Sequence, residues 1–461
     1  MIAQNLAKGL MTLGLCPAVR GEDRDWHFCG IWAKNCWEWT ATLLACMHYD
    51  MTTVGFYDAM SAEQVDFILK QTEMKTIVCT SDYAQKLIDM KKQGMAQFVG
   101  ALVVCDGVSD GLRSEATSQQ ILTYSFDQVM EEGAKSESAP AYNEPTKDSV
   151  YIFSYTSGTT GDSKGVKLSH EMILASAVCI NARIAFTPGE TLISYLPYTH
   201  SFEQGLFGFS LVNGLRIGFY TGDPLRLVED VGVLKPDMFP SVPRLYNRIY
   251  AKLKAGLDAA TGCKKWLAGK AVASKTANYE RDGSVTHGCW DKLVFKKMKA
   301  LLGGRVRVMV TGSAPIDKAV IDFLKISFCC PIVEGYGLTE SSGGACISDV
   351  ADPLTGHVGG PLESVKFRLM DLPEMSYLSA DKPYPRGEVQ MYGPLIFKGY
   401  YKRPDKTAEA FTDDGWFRTG DVAMLYPNGT LKIIDRSKNI FKLSQGEYIA
   451  PEKIEGILSL S

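Results

Sequence analysis

Residues 155–170 read Tyr-Thr-Ser-Gly-Thr-Thr-Gly-Asp-Ser-Lys-Gly-Val-Lys-Leu-Ser-His, and this stretch decides how the chain is interpreted. An apolar run at 150–153 precedes it and predicts a buried strand, while 171–182 has helical spacing. We therefore expect a loop between a strand and a helix. Glycine lets backbone N–H groups approach oxygen closely, hydroxyls donate hydrogen bonds, and Lys164 adds positive charge. The pattern predicts a polyphosphate-binding loop rather than a flexible linker.

The loop differs from the Walker P-loop of kinases and GTPases. Counted from Gly158, that motif requires Gly at the sixth position and Ser or Thr directly after the Lys. Ser163 and Gly165 occupy those places here. We expect a nucleotide site of a different construction.

Composition narrows the class of protein. A chain of 461 residues exceeds one ordinary core, so more than one domain or subdomain is expected. Its 46% hydrophobic and 22% charged content is typical of globular proteins. A net charge of -3 gives no nucleic-acid signature. The 12 cysteines lack metal-ligand spacing, which favours reduced thiols in a cytosol-facing protein over zinc or disulfides.

Short apolar runs alternate with helical patterns over most of the chain, and this alternation predicts parallel sheets covered by helices. Ser61 and Gln64 form a capping box at one predicted helix, and residues 1–15 predict an amphipathic helix packed on the body. The polar stretch 114–146 is interpreted as a surface excursion. The predicted strands lie at 76–79, 101–105, 192–195, 216–220, 238–239, 305–310 and 332–334, and after about residue 356 at 365–370, 388–392 and 430–434.

Five further segments carry candidate chemistry. They read Leu-Pro-Tyr-Thr-His-Ser-Phe-Glu-Gln at 196–204, Val-Thr-Gly-Ser-Ala-Pro at 310–315, Glu-Gly-Tyr-Gly-Leu-Thr-Glu-Ser at 334–341, Gly-Trp-Phe-Arg-Thr-Gly-Asp at 415–421 and Asp-Arg-Ser-Lys-Asn-Ile-Phe-Lys at 435–442. Tyr336 can stack on a purine, Asp421 can accept hydrogen bonds from ribose hydroxyls, and small residues after a strand let a flat ring approach the backbone. Taken singly, each segment also fits a plain turn or a structural residue.

Together, and in this order, the segments resemble the adenylate-forming superfamily of acyl-CoA synthetases, luciferases and peptide-synthetase adenylation domains, over about residues 5–457. Four stretches make the chain similar to eukaryotic long-chain fatty acyl-CoA synthetases: 239–250, the insertion 266–303, 304–315 and 441–455. The resemblance implies two steps. A fatty carboxylate attacks ATP to give acyl-adenylate and pyrophosphate, and the thiol of coenzyme A then displaces AMP. Expected cofactors are ATP and Mg²⁺, with coenzyme A as co-substrate.

The resemblance also implies a fold and a domain organisation. The fold is α/β, with a large N-terminal domain of two stacked, helix-covered, mostly parallel sheets and a smaller β-rich subdomain. The large domain covers 1–435, including a helical insertion at 252–300 and the β-rich part at 356–435. Residues 436–461 form a hinge and the beginning of a small C-terminal lid domain.

The same resemblance assigns roles to individual residues. The catalytic candidates are His200 near the acyl carboxylate, Lys438 at the hinge and Lys442. The metal candidates are Thr156 and Glu340. The nucleotide candidates are Thr156, Ser157, Gly158, Thr159, Thr160, Gly161 and Lys164 for the phosphates, Gly312, Ser313, Gly335, Tyr336, Gly337 and Thr339 around adenine, and Asp421 and Arg436 for ribose.

Family members usually carry a lid of about a hundred residues after the hinge, and often an N-terminal membrane anchor. The chain is expected to be truncated at both ends relative to that pattern, and so to bind ATP but turn over slowly. Two alternatives stay open: a non-catalytic ATP- or acyl-binding module, and an adenylating ligase for medium-chain or aromatic acids. Expected partners are a long-chain fatty acid and, for the full-length protein, a membrane surface contacted peripherally, with no nucleic acid. The expected location is cytoplasmic, or peripheral at the endoplasmic reticulum or another membrane.

Overall fold

The computed structural model describes residues 1–136, 144–157, 163–436, 441–442 and 448–449. The chain divides into two compact units. The first unit comprises Met1–Ile173, Pro197–Glu203 and Phe397–Glu409, and the second comprises Leu174–Leu196, Gln204–Ile396 and Ala410–Ser461.

The first unit is built on an eight-stranded, mostly parallel sheet. Its strands are β1 Ala18–Arg20, β2 Asp25–Trp32, β3 Thr52–Gly55, β4 Thr76–Cys79, β5 Ala101–Val104, β6 Leu122–Ser125, β7 Val150–Ser157 and β8 Ser163–Ser169. The order is β6-β5-β4-β2-β3-β7-β8, with β1 antiparallel to β2 and β8 antiparallel to β7. Every residue of β4 and β5 is buried, as expected for parallel strands covered on both faces.

Helices connect these strands. They are α1 Ile2–Thr12, α2 Trp37–His48, α3 Ala62–Thr72, α4 Ser81–Lys92, α5 Asp110–Ser118, α6 Phe126–Lys135 and, continuing into the second unit, α7 His170–Arg183. The predicted capping box is confirmed at α3: the Gln64 backbone N–H donates to Ser61 Oγ, and the Ser61 N–H donates to Gln64 Oε1.

The expectation of a surface excursion at 114–146 is wrong for most of its length. β6 pairs with β5 in the sheet, and α6 packs against α1. A Cβ added to Gly9 of α1 would collide with the Val129 carbonyl oxygen, and one added to Gly133 of α6 would collide with the Asn5 carbonyl oxygen. Glycine at both positions lets the two helices cross at backbone contact. The predicted N-terminal amphipathic helix is confirmed as α1.

The stretch 155–170 also differs from its predicted form. Instead of a loop running from a strand into a helix, β7 and β8 form an antiparallel hairpin in which Thr156 lies opposite Lys164. The helix α7 begins only after β8. Most of β8 is buried: five of its seven residues are buried, and Lys164 and Lys167, which are three positions apart and so lie on opposite faces, are half-buried.

The second unit contains a seven-stranded sheet. Its strands are β9 Thr191–Ser194, β10 Arg216–Phe219, β11 Met238–Ser241, β12 Val308–Thr311, β13 Ile332–Tyr336, β14 Cys346–Ile347 and β15 Gly360–Pro361, in the order β10-β9-β11-β12-β13-β14-β15. The pairs from β10 to β13 are parallel, and β14 and β15 are antiparallel additions. The helices are α8 Ser201–Asn213, which begins in the first unit, α9 Leu227–Leu234, α10 Pro243–Asp258, α11 Gly262–Asp282, α12 Lys296–Ala300 and α13 Lys318–Phe328, with a π-helical turn at Asp291–Phe295.

A four-stranded antiparallel sheet follows, made of β16 Lys366–Met370, β17 Arg386–Tyr392, β18 Phe417–Leu425 and β19 Leu431–Arg436. The short helix α14 spans Pro404–Ala410, and β20 Phe441–Lys442 pairs with β21 Tyr448–Ile449. Mostly parallel α/β sheets followed by a β-rich antiparallel part confirm the predicted fold class. Across the described ranges, no helix is both long and apolar enough to cross a bilayer.

Candidate functional site

The carboxyl ends of β12 and β13 bring two predicted segments side by side in the second unit. Thr311 of β12 pairs with Glu334 of β13. Gly312 and Ser313, which follow β12, therefore come at the same level as Gly335 and Tyr336, the last two residues of β13. Ser313 has a φ of 70°. A non-glycine residue in this left-handed region costs on the order of 1–3 kcal/mol, and such strain is common where a backbone is shaped for a ligand.

The two glycines beside Tyr336 meet different surroundings. A Cβ on Gly337 would lie 2.6 Å from the Gly343 carbonyl oxygen, so a side chain cannot be added without moving backbone. A Cβ on Gly335 would meet backbone oxygens only at 3.7 Å, which is ordinary contact. Beyond Gly337 the chain turns back through a 3-10 turn at Thr339–Ser341, which carries the half-buried Glu340.

Tyr336, Asp421 and Arg436, which we call the Tyr336 cluster, are in direct contact. The Tyr336 hydroxyl donates to Asp421 Oδ2 at 2.6 Å, and Arg436 Nε lies 3.4 Å from Asp421 Oδ1. Asp421 and Arg436 face each other across β18 and β19. Burial, reinforced by the Asp421 carboxylate, raises the pKa of Tyr336 well above its usual range, so the tyrosine stays a neutral donor.

Thr419 holds the backbone of Asp421 in place. Its hydroxyl accepts the Asp421 N–H at 3.0 Å and donates to the Val389 carbonyl at 2.6 Å, linking β18 to β17. The Asp421 side chain is 9% exposed, so its orientation is set by packing as well as by hydrogen bonds. Each oxygen of an ionised carboxylate can accept more than one hydrogen bond.

Glu334 is a buried carboxyl that the sequence analysis did not single out. Its Oε1 accepts the Gly356 N–H at 2.9 Å, and its own N–H donates to Ser348 Oγ at 2.8 Å. Burial raises the pKa of Glu334 to about 7. The residue thereby fastens the loop after β14 to the strand that presents Tyr336. The sequence did contain a signal for this buried carboxyl, because Glu334 directly follows the apolar residues Ile332 and Val333 of a buried strand.

In the first unit, the β7–β8 hairpin carries Thr156 and Lys164 on opposite strands. Lys164 Nζ lies 5.1 Å from the centroid of the Tyr400 ring, within cation–π range. The Gly165 carbonyl accepts the Tyr401 N–H at 2.9 Å. Ser157 is described for its backbone alone, and Gly158, Thr159, Thr160 and Gly161 lie outside the described residues.

His200 lies just before α8, and the same strand β7 anchors its turn. Ser154 lies on β7 two residues before Thr156, and its Oγ donates to the Thr199 carbonyl at 2.8 Å. His200 Nδ1 accepts the Phe202 N–H at 3.1 Å, and burial lowers the pKa of His200. A neutral imidazole that accepts through Nδ1 carries its proton on Nε2, which makes Nε2 a donor.

The two remaining predicted residues lie near the C-terminal end. Lys438 is outside the described residues. Lys442 belongs to the short strand β20, of which only the backbone is described. Their roles at a hinge and near the reacting groups stay predictions.

Comparison with solved structures defines the class as an adenylation-domain fold. The adenylation domain of a carboxylate reductase from Mycobacterium chelonae matches with a TM-score of 0.81 and 24% identity, covering 100% of this chain and 67% of that one. The corresponding domain from Segniliparus rugosus, in complex with AMP and a co-purified carboxylic acid, matches with a TM-score of 0.78 and 23% identity, covering 100% and 70%.

The family model of the AMP-binding enzymes matches residues 2–401, and the chain belongs to this family. The expected family is thus confirmed. Long chain acyl-CoA synthetase 7, peroxisomal, of Arabidopsis thaliana is 40% identical over 428 residues, covering 93% of this chain. Long-chain-fatty-acid–CoA ligase 1 of Homo sapiens is 38% identical over 436 residues, covering 94%. The chain spans 60% and 62% of the length of these two relatives.

Proposed function

We propose that this chain activates long-chain fatty acids with ATP, forming acyl-adenylate and then acyl-CoA. The observation that carries the proposal is the Tyr336 cluster. It joins the residue assigned to adenine with both residues assigned to ribose, although Tyr336 and Asp421 are 85 positions apart in the chain. The names of relatives at 38–40% identity support long-chain fatty acid as the substrate class.

In the first step a carboxylate oxygen attacks the α-phosphorus of ATP, and the bond from that phosphorus to the pyrophosphate oxygen breaks. In the second step the thiol sulfur of coenzyme A attacks the acyl carbon and AMP leaves. Neither step needs a covalent enzyme intermediate. The protein contributes by orienting the reactants and placing positive charge and N–H donors near developing negative charge.

The adenosine contacts belong to the second unit. We assign adenine to the Tyr336 ring beside Gly312, Ser313, Gly335 and Gly337, with Thr339 following in the same turn. Asp421 accepts hydrogen bonds from the ribose hydroxyls, and Arg436, 3.4 Å from Asp421 Oδ1, orients its carboxylate. Because Tyr336 already donates to Asp421, ring and carboxylate form one prearranged surface.

Phosphate contacts are assigned to residues 156–164 of the first unit, with Lys164 as the cation that neutralises the outer phosphates. His200, neutral and with a proton on Nε2, is assigned to donate a hydrogen bond to the acyl carboxylate. A neutral donor orients a carboxylate without competing for its negative charge as strongly as a cation would. The carboxylate therefore stays nucleophilic.

The two predicted metal ligands have donor atoms that Mg²⁺ prefers. Glu340 offers a carboxylate oxygen and Thr156 a hydroxyl, and Mg²⁺ prefers hard oxygen ligands. Among the described residues, no group of three or more His, Cys, Asp or Glu could hold a metal by itself. Mg²⁺ that arrives with ATP phosphates usually takes only one or two ligands from protein. When bound, it neutralises phosphate charge.

We further propose a cytosol-facing location, either cytoplasmic or peripheral at the endoplasmic reticulum or another membrane. Charged, bulky co-substrates such as ATP and coenzyme A are water-soluble, whereas long-chain fatty acids partition into bilayers. An enzyme that joins them works where both are accessible.

Fatty-acid-dependent exchange of labelled pyrophosphate into ATP tests the first step. We expect exchange with palmitate, none without fatty acid, and at subsaturating ATP about tenfold less exchange in Asp421→Ala. ATP binding without exchange would support a non-catalytic binding module, and faster exchange with a medium-chain or aromatic acid would overturn the substrate class. Adding coenzyme A and measuring palmitoyl-CoA tests the second step separately.

A further inference from the structure

Residues 243–300, which we call the basic helical segment, differ from the rest of the chain in charge. They contain thirteen Lys and Arg against four Asp and Glu, although the whole chain has a net charge of -3. The segment lies entirely within the second unit and consists of α10, α11, the π-helical turn and α12. A surplus of this size within 58 consecutive residues creates a strongly positive surface.

Eleven of the thirteen positive charges are exposed, and one of these, Arg281, pairs with Asp282. Lys299 is half-buried, and the Lys275 side chain is fully buried against Asp291. The exposed cations are Arg244, Arg248, Lys252, Lys254, Lys264, Lys265, Lys270, Arg281, Lys292, Lys296 and Lys297. In α11 the buried residues Ala271, Lys275 and Tyr279 recur at helical spacing, so this face contacts the protein and other faces meet solvent.

Two large apolar side chains stand among these cations. Trp266 is 64% exposed and follows Lys264 and Lys265 in the first turns of α11. Leu293 is 61% exposed and lies between Lys292 and Lys296 in the π-helical turn. Solvent is a poor environment for both side chains, at ~25 cal/mol for each Å² of apolar surface.

We propose that the basic helical segment docks on an anionic lipid bilayer, with Trp266 and Leu293 entering its interface. Lys and Arg are attracted to the negative surface potential of such membranes, and Trp favours the interfacial region. An exposed aliphatic side chain gains by entering lipid and gains little on a nucleic-acid backbone, which favours the bilayer over a polynucleotide. The proposal gives a surface to the peripheral membrane location proposed above, and it can fail while the reaction stands.

Sedimentation with vesicles tests the charge contribution. The full 461-residue chain should bind phosphatidylcholine vesicles containing phosphatidylserine, bind pure phosphatidylcholine weakly, and dissociate at high salt. Each cation near the surface contributes roughly fivefold in partitioning, so Lys264→Ala with Lys265→Ala should weaken binding about 25-fold. The matched control, Lys366→Ala with Lys432→Ala, removes two exposed lysines of the antiparallel sheet and should leave binding unchanged.

The apolar contribution needs its own variant. Trp266→Ala should weaken binding to the anionic vesicles several-fold at low salt, whereas Leu225→Ala, at a residue 76% exposed outside the segment, should have no effect. Pyrophosphate exchange without vesicles should be equal in all these variants, which separates this proposal from the proposed reaction. Any of three results would overturn the proposal. Vesicle binding could weaken equally in the two double-lysine variants, Trp266→Ala could leave vesicle binding unchanged, or the chain could bind duplex DNA more tightly than anionic vesicles.

Discussion

The Tyr336 cluster and the β7–β8 hairpin are assigned to one nucleotide but are built differently. In the cluster, strands distant in sequence bring Tyr336 to Asp421, and hydrogen bonds already join them. In the hairpin, neighbouring residues of one chain segment place Thr156 opposite Lys164. The cluster therefore depends on tertiary packing, and the hairpin depends on local strand pairing. Changes in the cluster should affect every adenosine nucleotide, and changes in the hairpin only those with outer phosphates.

The largest expected effect is that of Asp421→Ala. It removes an acceptor for ribose and the partner of both Tyr336 and Arg436. Hydrogen bonds to charged groups are worth ~1.5–3 kcal/mol, so AMP and ATP should each bind at least about tenfold more weakly by calorimetry. The control is Asp413→Ala, which removes an exposed carboxylate shortly before β18. Unchanged affinity in Asp421→Ala would remove the ribose assignment.

Lys164→Ala tests the other side of the comparison. Its ammonium is assigned to the outer phosphates, so ATP affinity should fall roughly tenfold while AMP affinity changes little. Lys167→Ala is a matched control, because Lys167 is equally half-buried on β8 but points to the opposite face. Loss of AMP and ATP affinity in equal proportion would show that Lys164 does not contact the phosphates.

Glu334 links the stability of the second unit to pH. Its pKa is about 7 in the folded chain, above the value near 4.5 of an unperturbed glutamate, so the folded state holds the proton more tightly. The contribution of Glu334 to the free energy of unfolding is therefore greatest at low pH. It falls by about 1–3 kcal/mol as pH rises from about 4.5 to about 7. Urea unfolding at pH 5 and pH 8 measures the loss. Glu334→Gln should abolish it, and Glu280→Gln, at an exposed site, should not.

The smallest expected effect is that of Tyr336→Phe, which keeps the ring and removes one hydroxyl. Loss of its hydrogen bond to Asp421 should weaken AMP about fivefold, corresponding to ~1 kcal/mol. The double variant with Asp421→Ala should bind no worse than Asp421→Ala alone, because the two changes remove the same interaction. Strict additivity in calorimetry would mean that Tyr336 and Asp421 act separately.

Sequence patterns predicted the strands well where burial is two-sided. Runs such as 76–79 and 101–105 are continuously apolar because both faces are covered, and they became β4 and β5. The same reasoning missed α6, although Ser125 and Gln128 repeat the capping-box pattern recognised at Ser61 and Gln64. The polar composition of 114–146 outweighed a local signal that was present.

Other features required the folded chain. No spacing rule places Tyr336 beside Asp421, because their contact depends on how β13 and β18 pack; the resemblance suggested a shared ligand, not the hydrogen bond. The glycine and hydroxyl content of 155–170 concealed the mostly buried strand β8. The proton position on His200 follows from a backbone N–H two residues away, which composition cannot show.

Gly335 and Gly337, on either side of Tyr336, differ in the space available for a side chain, and this difference determines which position can be redesigned. Replacement of Gly337 forces backbone against the Gly343 carbonyl, so almost any residue placed there should be rejected for folding reasons alone. At Gly335 a methyl group meets its neighbours at ordinary contact distance. A mutational library aimed at altered nucleotide preference should therefore diversify position 335 and hold 337 constant, so that its survivors report on recognition and not on foldability.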